Sequence, residues 1–343
     1  MLRTLSVGAA VLFAAGLTTA SLPAHAEKLK FQTSSNASHL SLAILNRDWV
    51  PKLKERTQGR WEIELLPIKA VVPHRETPQA VAKGILDGDM TAVSYFAGKD
   101  AGFALLGDLI AGWDKVDQQN DYCRNGGGKE MLQKLFAKYF PGVTVIACGA
   151  YNKEAFVSKV PIRTVDDLKG KKIRSPEGLA ADVFRRVGAA PVSLPTSETY
   201  GALEKGVIDA ADNSAYANND ANGMHKVAKF PIYPGIHSMP MFQFTISTKV
   251  WKKMSEQDRK TFETWFNEAY DALAKAIDAE DERLVARDKA GKDITVIDWA
   301  QSERDKFRSI AEKAWADVAK KSPLAKEAYE SETKYMRAKG LLK

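Results

Sequence analysis

The chain has 343 residues, with 50 lysines and arginines against 43 aspartates and glutamates, which gives a formal net charge of +7 at pH 7. The two signs of charge are mixed along the sequence, and no basic stretch is interleaved with aromatic residues. This pattern argues against a nucleic-acid-binding surface, so we expect no nucleic-acid partner. The length suffices for two medium-sized domains with substantial cores.

The N-terminus predicts export. Arg3 precedes an uncharged apolar stretch from Leu5 to about Leu22, and Ala24-His25-Ala26 matches the small-x-small pattern of a cleavage site. Residues 1–26 are therefore interpreted as a signal peptide, and the mature protein is expected in the periplasm. An uncleaved anchor is the alternative, which the many small and polar residues of the stretch disfavour. No later segment is long and apolar enough to cross a membrane, so we expect a mature protein that is not membrane-embedded.

From Glu27 onward, strand and helix patterns alternate. The predicted elements of the first part are a strand at 29–32, a helix from 40 that stops at Pro51, a strand at 61–66, a helix at 77–87, a strand at 91–95, a helix at 129–139 and a strand at 144–147.

A second series begins near residue 154. Its predicted elements are strands at 172–174, 191–194, 207–211 and 241–247, helices at 178–187 and from 196 or 197 to Gly206, a long helix capped by Ser255 that continues toward Gly291, and helices at 302–321 and 323–339. The pattern predicts an α/β fold of two lobes on largely parallel sheets, joined by crossing segments and clasped by long C-terminal helices.

The predicted boundaries follow the crossings of the chain between the lobes. Lobe 1 comprises residues 27–151 and about 240–280, and lobe 2 comprises about 152–239 and about 281–310. Residues 311–343 are predicted to form C-terminal helices that pack back on the lobes.

Spacings typical of catalysis or zinc binding are absent from the sequence. His39, His74, His225 and His237 are isolated, and neither H-x-x-x-H nor C-x-x-C nor G-x-S-x-G occurs. The glycine-rich segment at 125–129 lacks the spacing of a phosphate-binding loop. We therefore expect neither an enzyme nor a zinc site.

The two cysteines, Cys123 and Cys148, are predicted to form a disulfide because an exported protein meets an oxidising compartment. Two buried free thiols remain the alternative, since the sequence does not fix the separation of the two Cα atoms.

Arg174 is the strongest candidate for binding chemistry. It ends a predicted strand just before Ser-Pro-Glu-Gly178, and open α/β sheets bind ligands at the carboxyl ends of their strands. A guanidinium group matches a carboxylate through two parallel charge-assisted hydrogen bonds. The alternative is an exposed arginine that pairs with Glu177 or Asp166.

The sequence around Arg174 resembles a known family. Asp167-Leu-Lys-Gly-Lys-Lys-Ile-Arg174 and the segment from Gly188-Ala-Ala-Pro-Val-Ser-Leu-Pro to Gly206-Val-Ile-Asp209 closely resemble the signature of TRAP-type, DctP-like solute-binding proteins. The resemblance implies a two-lobed periplasmic binding protein fold that delivers an organic acid to the membrane subunits of a TRAP permease.

The resemblance also implies site residues. Arg174 would clamp the carboxylate of the ligand, and Asn213 would contact the same group. Several members of the family carry a second arginine shortly before the Val-Pro-Ile-like segment, and here that neighbourhood reads Tyr151-Asn-Lys-Glu154, which argues against a standard second-arginine clamp. Phe96–Leu105 and Tyr233-Pro-Gly235 look more like the branch that binds 2-oxo or 2-hydroxy monocarboxylates, although a dicarboxylate remains an alternative. Some members of that branch hold a cation beside the ligand, which makes Asp212 the candidate ligand for calcium or sodium; no other cofactor is expected.

Further cleft candidates follow from position along the chain. They lie at the first strand-to-helix turn, in two aromatic positions near the second turn, at the lobe crossing and in a Gly/Pro-rich loop. These residues are Ser34, Ser35, Asn36, Tyr95, Phe96, Tyr151, Asn152 and His237. The alternatives are simple helix caps and core aromatic residues.

The predicted function is an extracytoplasmic receptor that captures a small organic acid between its lobes for a TRAP transporter. Two other functions remain open from the sequence. One is a secreted enzyme such as a lyase acting on 2-oxo acids, and the other is a periplasmic sensor that presents its closed form to a receptor kinase.

Overall fold

The computed structural model describes residues 26–236 and 238–342. The predicted signal peptide, apart from Ala26, and the candidate His237 lie outside these residues. None of the described helices is long and apolar enough to cross a lipid bilayer.

Nine strands occur in the described residues. They are β1 (Glu27–Thr33), β2 (Trp61–Leu66), β3 (Gly88–Met90), β4 (Val143–Gly149), β5 (Phe156–Ser158), β6 (Lys172–Arg174), β7 (Ala190–Val192), β8 (Ala210–Asp212) and β9 (Phe242–Ser247).

The same part of the chain contains fourteen α-helices. They are α1 (Leu40–Ile44), α2 (Val50–Arg56), α3 (Thr77–Lys83), α4 (Ala101–Gly107), α5 (Val116–Asn125), α6 (Gly128–Tyr139), α7 (Leu179–Arg186), α8 (Thr196–Glu204), α9 (Tyr216–Ala221), α10 (Met224–Val227), α11 (Thr248–Lys253), α12 (Glu256–Ala290), α13 (Gln301–Ala319) and α14 (Pro323–Ala338). A π-helical turn spans Leu45–Trp49, and 3-10 turns span Val93–Phe96 and Val165–Leu168.

Two sheets divide the molecule into two lobes. The first sheet has the order β2-β1-β3-β9-β4, in which only β9 runs against its neighbours, and it forms the first lobe. The second sheet has the order β5-β8-β6-β7 with β5 antiparallel to β8, and it forms the second lobe. Helices cover both sheets, which confirms the predicted two-lobed α/β fold. The lobe boundaries at the level of single residues remain a prediction.

The longest helix, α12, connects the two lobes along one side. Ser255 caps it by accepting a hydrogen bond from the Asp258 backbone N–H, as predicted. Buried residues recur along one face, so Phe262 and Trp265 pack in the core of the first lobe while Leu284 packs in a smaller cluster against Tyr216 of the second. With 35 residues the helix is about 52 Å long, enough to reach both lobes.

Four predicted elements differ from the structure: the helix predicted at 77–87 ends at Lys83, the strand predicted at 207–211 lies at Ala210–Asp212, and two further elements take a different course. The chain stays helical through Pro51, because this proline lies in the first turn of α2, where a backbone N–H needs no partner inside the helix. The strand predicted at 91–95 lies earlier, at Gly88–Met90, and the chain then turns sharply in the 3-10 segment Val93–Phe96. The early end of β3 places Ala92, Ser94 and Tyr95 at the cleft between the lobes.

The two cysteines are joined in the structure. Cys123 on α5 and Cys148 on β4 form a disulfide with their Cα atoms 5.7 Å apart. The bond ties a helix of the first lobe to the strand that leads into the crossing between the lobes.

The C-terminal helices contact both lobes. Helix α13 packs against α7 of the second lobe and against α4, whereas α14 packs against α4 and α6 of the first.

Candidate functional site

A small cavity of about 40 Å³ lies between the two lobes. Its walls come from both sheets and from the crossing segment, so it exists only when the lobes are together. The lining residues are Ser34, Ser35, His39, Ala92, Ser94, Tyr95, Tyr151, Glu154, Arg174, Pro176, Thr196, Asn213, Ser214, Pro240 and Phe242.

Arg174 provides the positive charge of this cavity. It ends β6, and only 2% of its surface is exposed. Its Nε donates to the Leu194 carbonyl oxygen (2.9 Å) and its Nη1 to the Asp212 carbonyl oxygen (2.6 Å), while Nη2 lies 3.5 Å from the Tyr95 hydroxyl. Two backbone carbonyls therefore hold the guanidinium in one orientation, with Nη2 on the side of the first lobe.

The alternative role for Arg174, an exposed ion pair, is not observed. Its two proposed partners are engaged elsewhere, since Glu177 pairs with Arg75 (3.2 Å) and Asp166 with Lys306 (2.9 Å). The buried position follows from the parallel pairing of β6 with both β7 and β8, which leaves the end of β6 in the middle of the second sheet.

Asn213 lies directly after β8 and is almost completely buried. Its Oδ1 accepts a hydrogen bond from the Thr196 hydroxyl (3.0 Å), and its Nδ2 donates to Asn219 Oδ1 (2.8 Å). The side chain lines the cavity in a fixed orientation, and its contact with a ligand remains a prediction.

Glu154, in the segment where the resemblance implies a second arginine, is buried in the cavity wall. Its Oε1 accepts from the Ser214 backbone N–H (2.9 Å), and its Oε2 lies 3.2 Å from Ser238 Oγ, which also lies 2.7 Å from Asp108 Oδ2. One hydroxyl proton cannot serve both carboxylates. Burial, and then the neighbouring Glu154 charge, raise the pKa of Asp108 to about 7. Burial also raises the pKa of Glu154, although Arg174 opposes the shift.

Asp212, the candidate cation ligand, is completely buried beside these two acids. Neither of its carboxylate oxygens has a hydrogen-bond partner among the described residues. Burial is the main reason that its pKa is well above the usual range, and the charges of Glu154 and Asp108 add to the shift. Carboxylate oxygens without partners suit calcium or sodium. Asp212 is, however, not among the residues that line the cavity, and among the described residues the one group of three acidic or histidine side chains with ligand atoms within 4.8 Å of one another is Asp220, His225 and Asp288.

The sequence did not point to eight of the lining residues, and two of these, His39 and Ser94, bury polar atoms that lack a partner among the described residues. His39 is 3% exposed, and neither of its ring nitrogens has a hydrogen-bond partner in the described part of the chain. Burial lowers the pKa of His39 to about 4, so the imidazole is neutral at neutral pH. The Ser94 hydroxyl is likewise buried and without a partner within residues 26–236 and 238–342. A signal for His39 existed, because it directly precedes α1 at the same turn as Ser34 and Ser35.

The remaining candidates separate into two groups. Ser34, Ser35, Tyr95 and Tyr151 line the cavity together with Arg174 and Asn213. The other three described candidates do not line it, namely Asn36, Phe96 and Asn152.

Local geometry explains why these three residues are elsewhere. Phe96 ends the 3-10 turn and packs on Phe103 and Phe140 in the core, because a turn does not keep the alternating directions of a strand. Asn36 instead offers its backbone carbonyl to the His39 N–H, and the Asn152 amide donates to the Lys153 carbonyl oxygen.

Two ion pairs cross the mouth of the cleft. Lys69 of the first lobe lies 2.6 Å from Glu198 of the second, and Arg75 lies 3.2 Å from Glu177. Each pair connects the loop after β2 with the second lobe, and all four side chains are substantially exposed. These contacts can form only when the lobes are closed.

His225, expected to be isolated, lies in a second cluster of polar groups. Its Nδ1 is 3.4 Å from Asp220 Oδ1 and 4.0 Å from Asp288 Oδ2. Arg287 pairs with both carboxylates at 2.7 Å, and the Tyr216 hydroxyl donates to Asp288 (2.6 Å). The carboxylates thus already have a cationic partner, and we interpret the cluster as a clamp between α12 and the second lobe.

Comparison with known families and structures agrees with this geometry. The sequence profile of the bacterial extracellular solute-binding proteins, family 7, matches residues 31–322. A TRAP periplasmic solute-binding protein from Rhodobacter sphaeroides, solved in an apo open state, is 40% identical, with a TM-score of 0.74 over 92% of this chain and 99% of that one.

Two more distant relatives have names that mention ligands. A monocarboxylate 2-oxoacid-binding periplasmic protein of Nostoc is 28% identical over 285 residues, which cover 81% of this chain and 76% of the relative. A TRAP solute-binding protein from Bordetella bronchiseptica, solved with co-purified calcium and picolinate in its active site, is 22% identical, with a TM-score of 0.83 over 92% of this chain and 93% of that one. At that identity, the second likeness shows a shared fold.

Proposed function

The chain belongs to family 7 of the bacterial extracellular solute-binding proteins, and from this premise we propose that it captures a small monocarboxylate, with 2-oxo and 2-hydroxy acids favoured, and delivers it in the periplasm to a TRAP permease. It acts as a receptor in this proposal and catalyses no reaction. The observation that carries the proposal is the buried guanidinium of Arg174 at the wall of a cavity between the lobes.

Arg174 is suited to hold a carboxylate. Its orientation is already fixed by two backbone carbonyls, so little conformational entropy is lost when an anion binds. A guanidinium in a desolvated cavity interacts with a carboxylate more strongly than it would in water. We therefore propose that the ligand's carboxylate binds Arg174, on the second lobe.

The size and charge of the cavity favour a compact monocarboxylate. A volume of about 40 Å³ corresponds to roughly three ordered water molecules, which suits an acid of few carbon atoms. Arg174 is the only cationic side chain among the described lining residues, and Glu154 is a buried carboxylate in the same wall. A second carboxylate on the ligand would lie near Glu154 without a cation of its own.

A bound calcium or sodium ion beside the ligand is the second part of the proposal. Asp212 and Glu154 would hold the ion, supported by the two Asp212 oxygens that lack partners among the residues described. Three buried acids, Asp108, Glu154 and Asp212, lie near the single arginine, and burial raises the pKa of each, so a cation at this place would stabilise their charged forms. The calcium and picolinate of the Bordetella relative support this reading.

Closure of the lobes accompanies capture. The ion pairs Lys69–Glu198 and Arg75–Glu177 stabilise the closed arrangement at the mouth of the cleft. Closing without a ligand would bury the His39 ring and the Ser94 hydroxyl with unpaired polar atoms at the cavity wall, and the ligand would relieve this cost.

A ligand screen on the mature protein tests the proposal. Protein freed of ligand and metal is examined by thermal shift and calorimetry with pyruvate, 2-oxobutyrate, lactate, malonate and succinate, each with and without calcium. We expect micromolar binding of the monocarboxylates, equivalent to about 8 kcal/mol, and tighter binding with calcium. A ligand at a hundred times its Kd should add about 2.7 kcal/mol of stability.

Other outcomes of the screen point to other functions. Absence of stabilisation by every carboxylate would refute the capture of an organic acid. Preferential binding of succinate or malonate would replace the monocarboxylate by a dicarboxylate. Turnover of a bound 2-oxo acid, followed by proton NMR, would instead support the secreted enzyme. Uptake of the acid by vesicles that contain the permease subunits distinguishes transport from sensing.

A further inference from the structure

We propose that His39 recognises the polar substituent on the carbon next to the ligand's carboxylate, and so selects 2-oxo and 2-hydroxy acids over unsubstituted acids. This inference rests on the proposed function and adds a specificity-determining residue on the first lobe.

The first argument is the division of the cavity between the lobes. Arg174 and Asn213 belong to the second lobe, whereas His39 precedes α1 on the first lobe, next to the turn with Ser34 and Ser35. A ligand whose carboxylate lies at Arg174 therefore presents its other end to the wall that contains His39. In a cavity this small, that end is the second carbon and its substituent.

The second argument is the unsatisfied chemistry of the imidazole. The His39 backbone is held at the turn, since its N–H donates to the Asn36 carbonyl (3.0 Å) and its carbonyl accepts from Ala43 (3.2 Å). Neither ring nitrogen is paired within the described residues, although the residue is almost completely buried. Buried polar side-chain atoms are normally hydrogen-bonded, so an unpaired ring at a cavity wall indicates a partner supplied by the ligand.

The third argument is the charge of the ring. Because burial lowers its pKa to about 4, His39 is neutral and offers one donor and one acceptor. A neutral imidazole pairs well with a keto oxygen or a hydroxyl group. It cannot neutralise a second carboxylate, which agrees with the presence of Glu154 in the same cavity.

The expected selectivity follows from the unpaired ring. An acid without a substituent, such as propionate, would leave the imidazole unsatisfied in the closed protein. Leaving one buried polar group unpaired weakens binding by a factor of about 5 to 150. Sites built to hydrogen-bond a ligand group reject the analogue that lacks it.

The test compares His39→Ala and His39→Gln with the unaltered protein. Calorimetry at pH 7 gives the Kd of pyruvate, lactate and propionate for each protein. We expect the unaltered protein to prefer pyruvate or lactate to propionate by tenfold or more. In His39→Ala this preference should fall below about threefold because the substituted acids bind more weakly. His39→Gln, which keeps a donor and an acceptor, should recover part of it.

His225→Gln is the matched control, because it alters another buried histidine that does not line the cavity. Its preference among the three acids should equal that of the unaltered protein. An equal loss of affinity for all three acids in His39→Ala would overturn the inference, as would an unchanged preference. If His39→Ala does not fold, the unaltered protein still tests the inference. Equal affinities for propionate and pyruvate would show that the substituent next to the carboxylate is not recognised. Failure to bind any of the acids would instead refute the proposed function.

Discussion

Replacement of Arg174 is the most direct test of how the ligand is held. Arg174→Ala removes the guanidinium that faces the cavity, and a carboxylate bound there would be buried without a partner. Removing one member of a buried, hydrogen-bonded charge pair costs about 2 to 5 kcal/mol. We therefore expect affinity to fall at least about 30-fold, since 1.4 kcal/mol corresponds to a factor of ten. Arg174→Lys keeps the positive charge but cannot form the two parallel hydrogen bonds of a guanidinium, so the affinity of this variant should fall less than that of Arg174→Ala.

The same substitution also affects the fold. Arg174 donates to the carbonyls of Leu194 and Asp212, and each such bond contributes about 0.5 to 1.5 kcal/mol of net stability. The free energy of unfolding of Arg174→Ala should therefore fall by roughly 1 to 3 kcal/mol. Denaturant unfolding without ligand measures this loss separately from the affinity.

Calorimetric titration with the best ligand of the screen then compares three variants. Arg75→Ala serves as the control, because it removes an exposed arginine at the mouth of the same cleft. Its affinity should change by less than about fivefold. Near wild-type affinity in a folded Arg174→Ala protein would show that the carboxylate is held elsewhere, and the reasoning from the buried guanidinium would be wrong.

Three other predictions concern stability and closure. Burial raises the pKa of Asp108 to about 7, so the folded protein binds more protons than the unfolded chain between about pH 4 and 7 and loses stability as pH rises through that range. The difference in melting temperature between Asp108→Asn and the unaltered protein should therefore shift in favour of Asp108→Asn as the pH rises from 5 to 8. Melting temperatures that change in parallel with pH in both proteins would contradict this. Replacing Cys123 and Cys148 by alanine opens a loop of 25 residues and should cost about 3 kcal/mol of unfolding free energy in denaturant titrations, with unchanged ligand affinity. Finally, Arg75→Glu and Glu177→Arg should each lower ligand affinity at low salt, and the double variant should restore most of the lost affinity. The losses of the single variants should vanish at 1 M salt. Losses that do not depend on salt would exclude an electrostatic role of this pair at the mouth of the cleft.

Local patterns predicted the elements that carry the site. The alternation of Trp61–Leu66 gave β2 with its observed bounds, and the short apolar segment before Arg174 gave β6. Ser255 marked the start of α12 because a capping serine acts on residues only three positions away. Arg174 could be selected because its motif and its place at a strand end are both properties of consecutive residues.

The directions of side chains in irregular segments were harder to predict from the sequence. Tyr95 and Phe96 were both selected for the cleft, yet only Tyr95 lines it, while Phe96 joins the core. Adjacent residues of a strand point to opposite faces, but in a 3-10 turn the directions depend on where the turn leaves the sheet. That point is set by the pairing of Gly88 with Ile246 in β9, more than 150 positions away.

The sequence by itself determined the family, the α/β alternation, the long helices and the arginine at the end of β6. Only the tertiary structure decided which polar groups share the cavity with Arg174. In the sequence, His39 has no partner at a recognisable spacing, and Glu154 only marks the place of a missing arginine. Nothing near either residue in the chain predicts that it is buried. Their roles follow from the closing of two lobes around them, which removes water from both residues. Burial keeps the His39 imidazole neutral and leaves its ring nitrogens unpaired, so that a ligand can satisfy them.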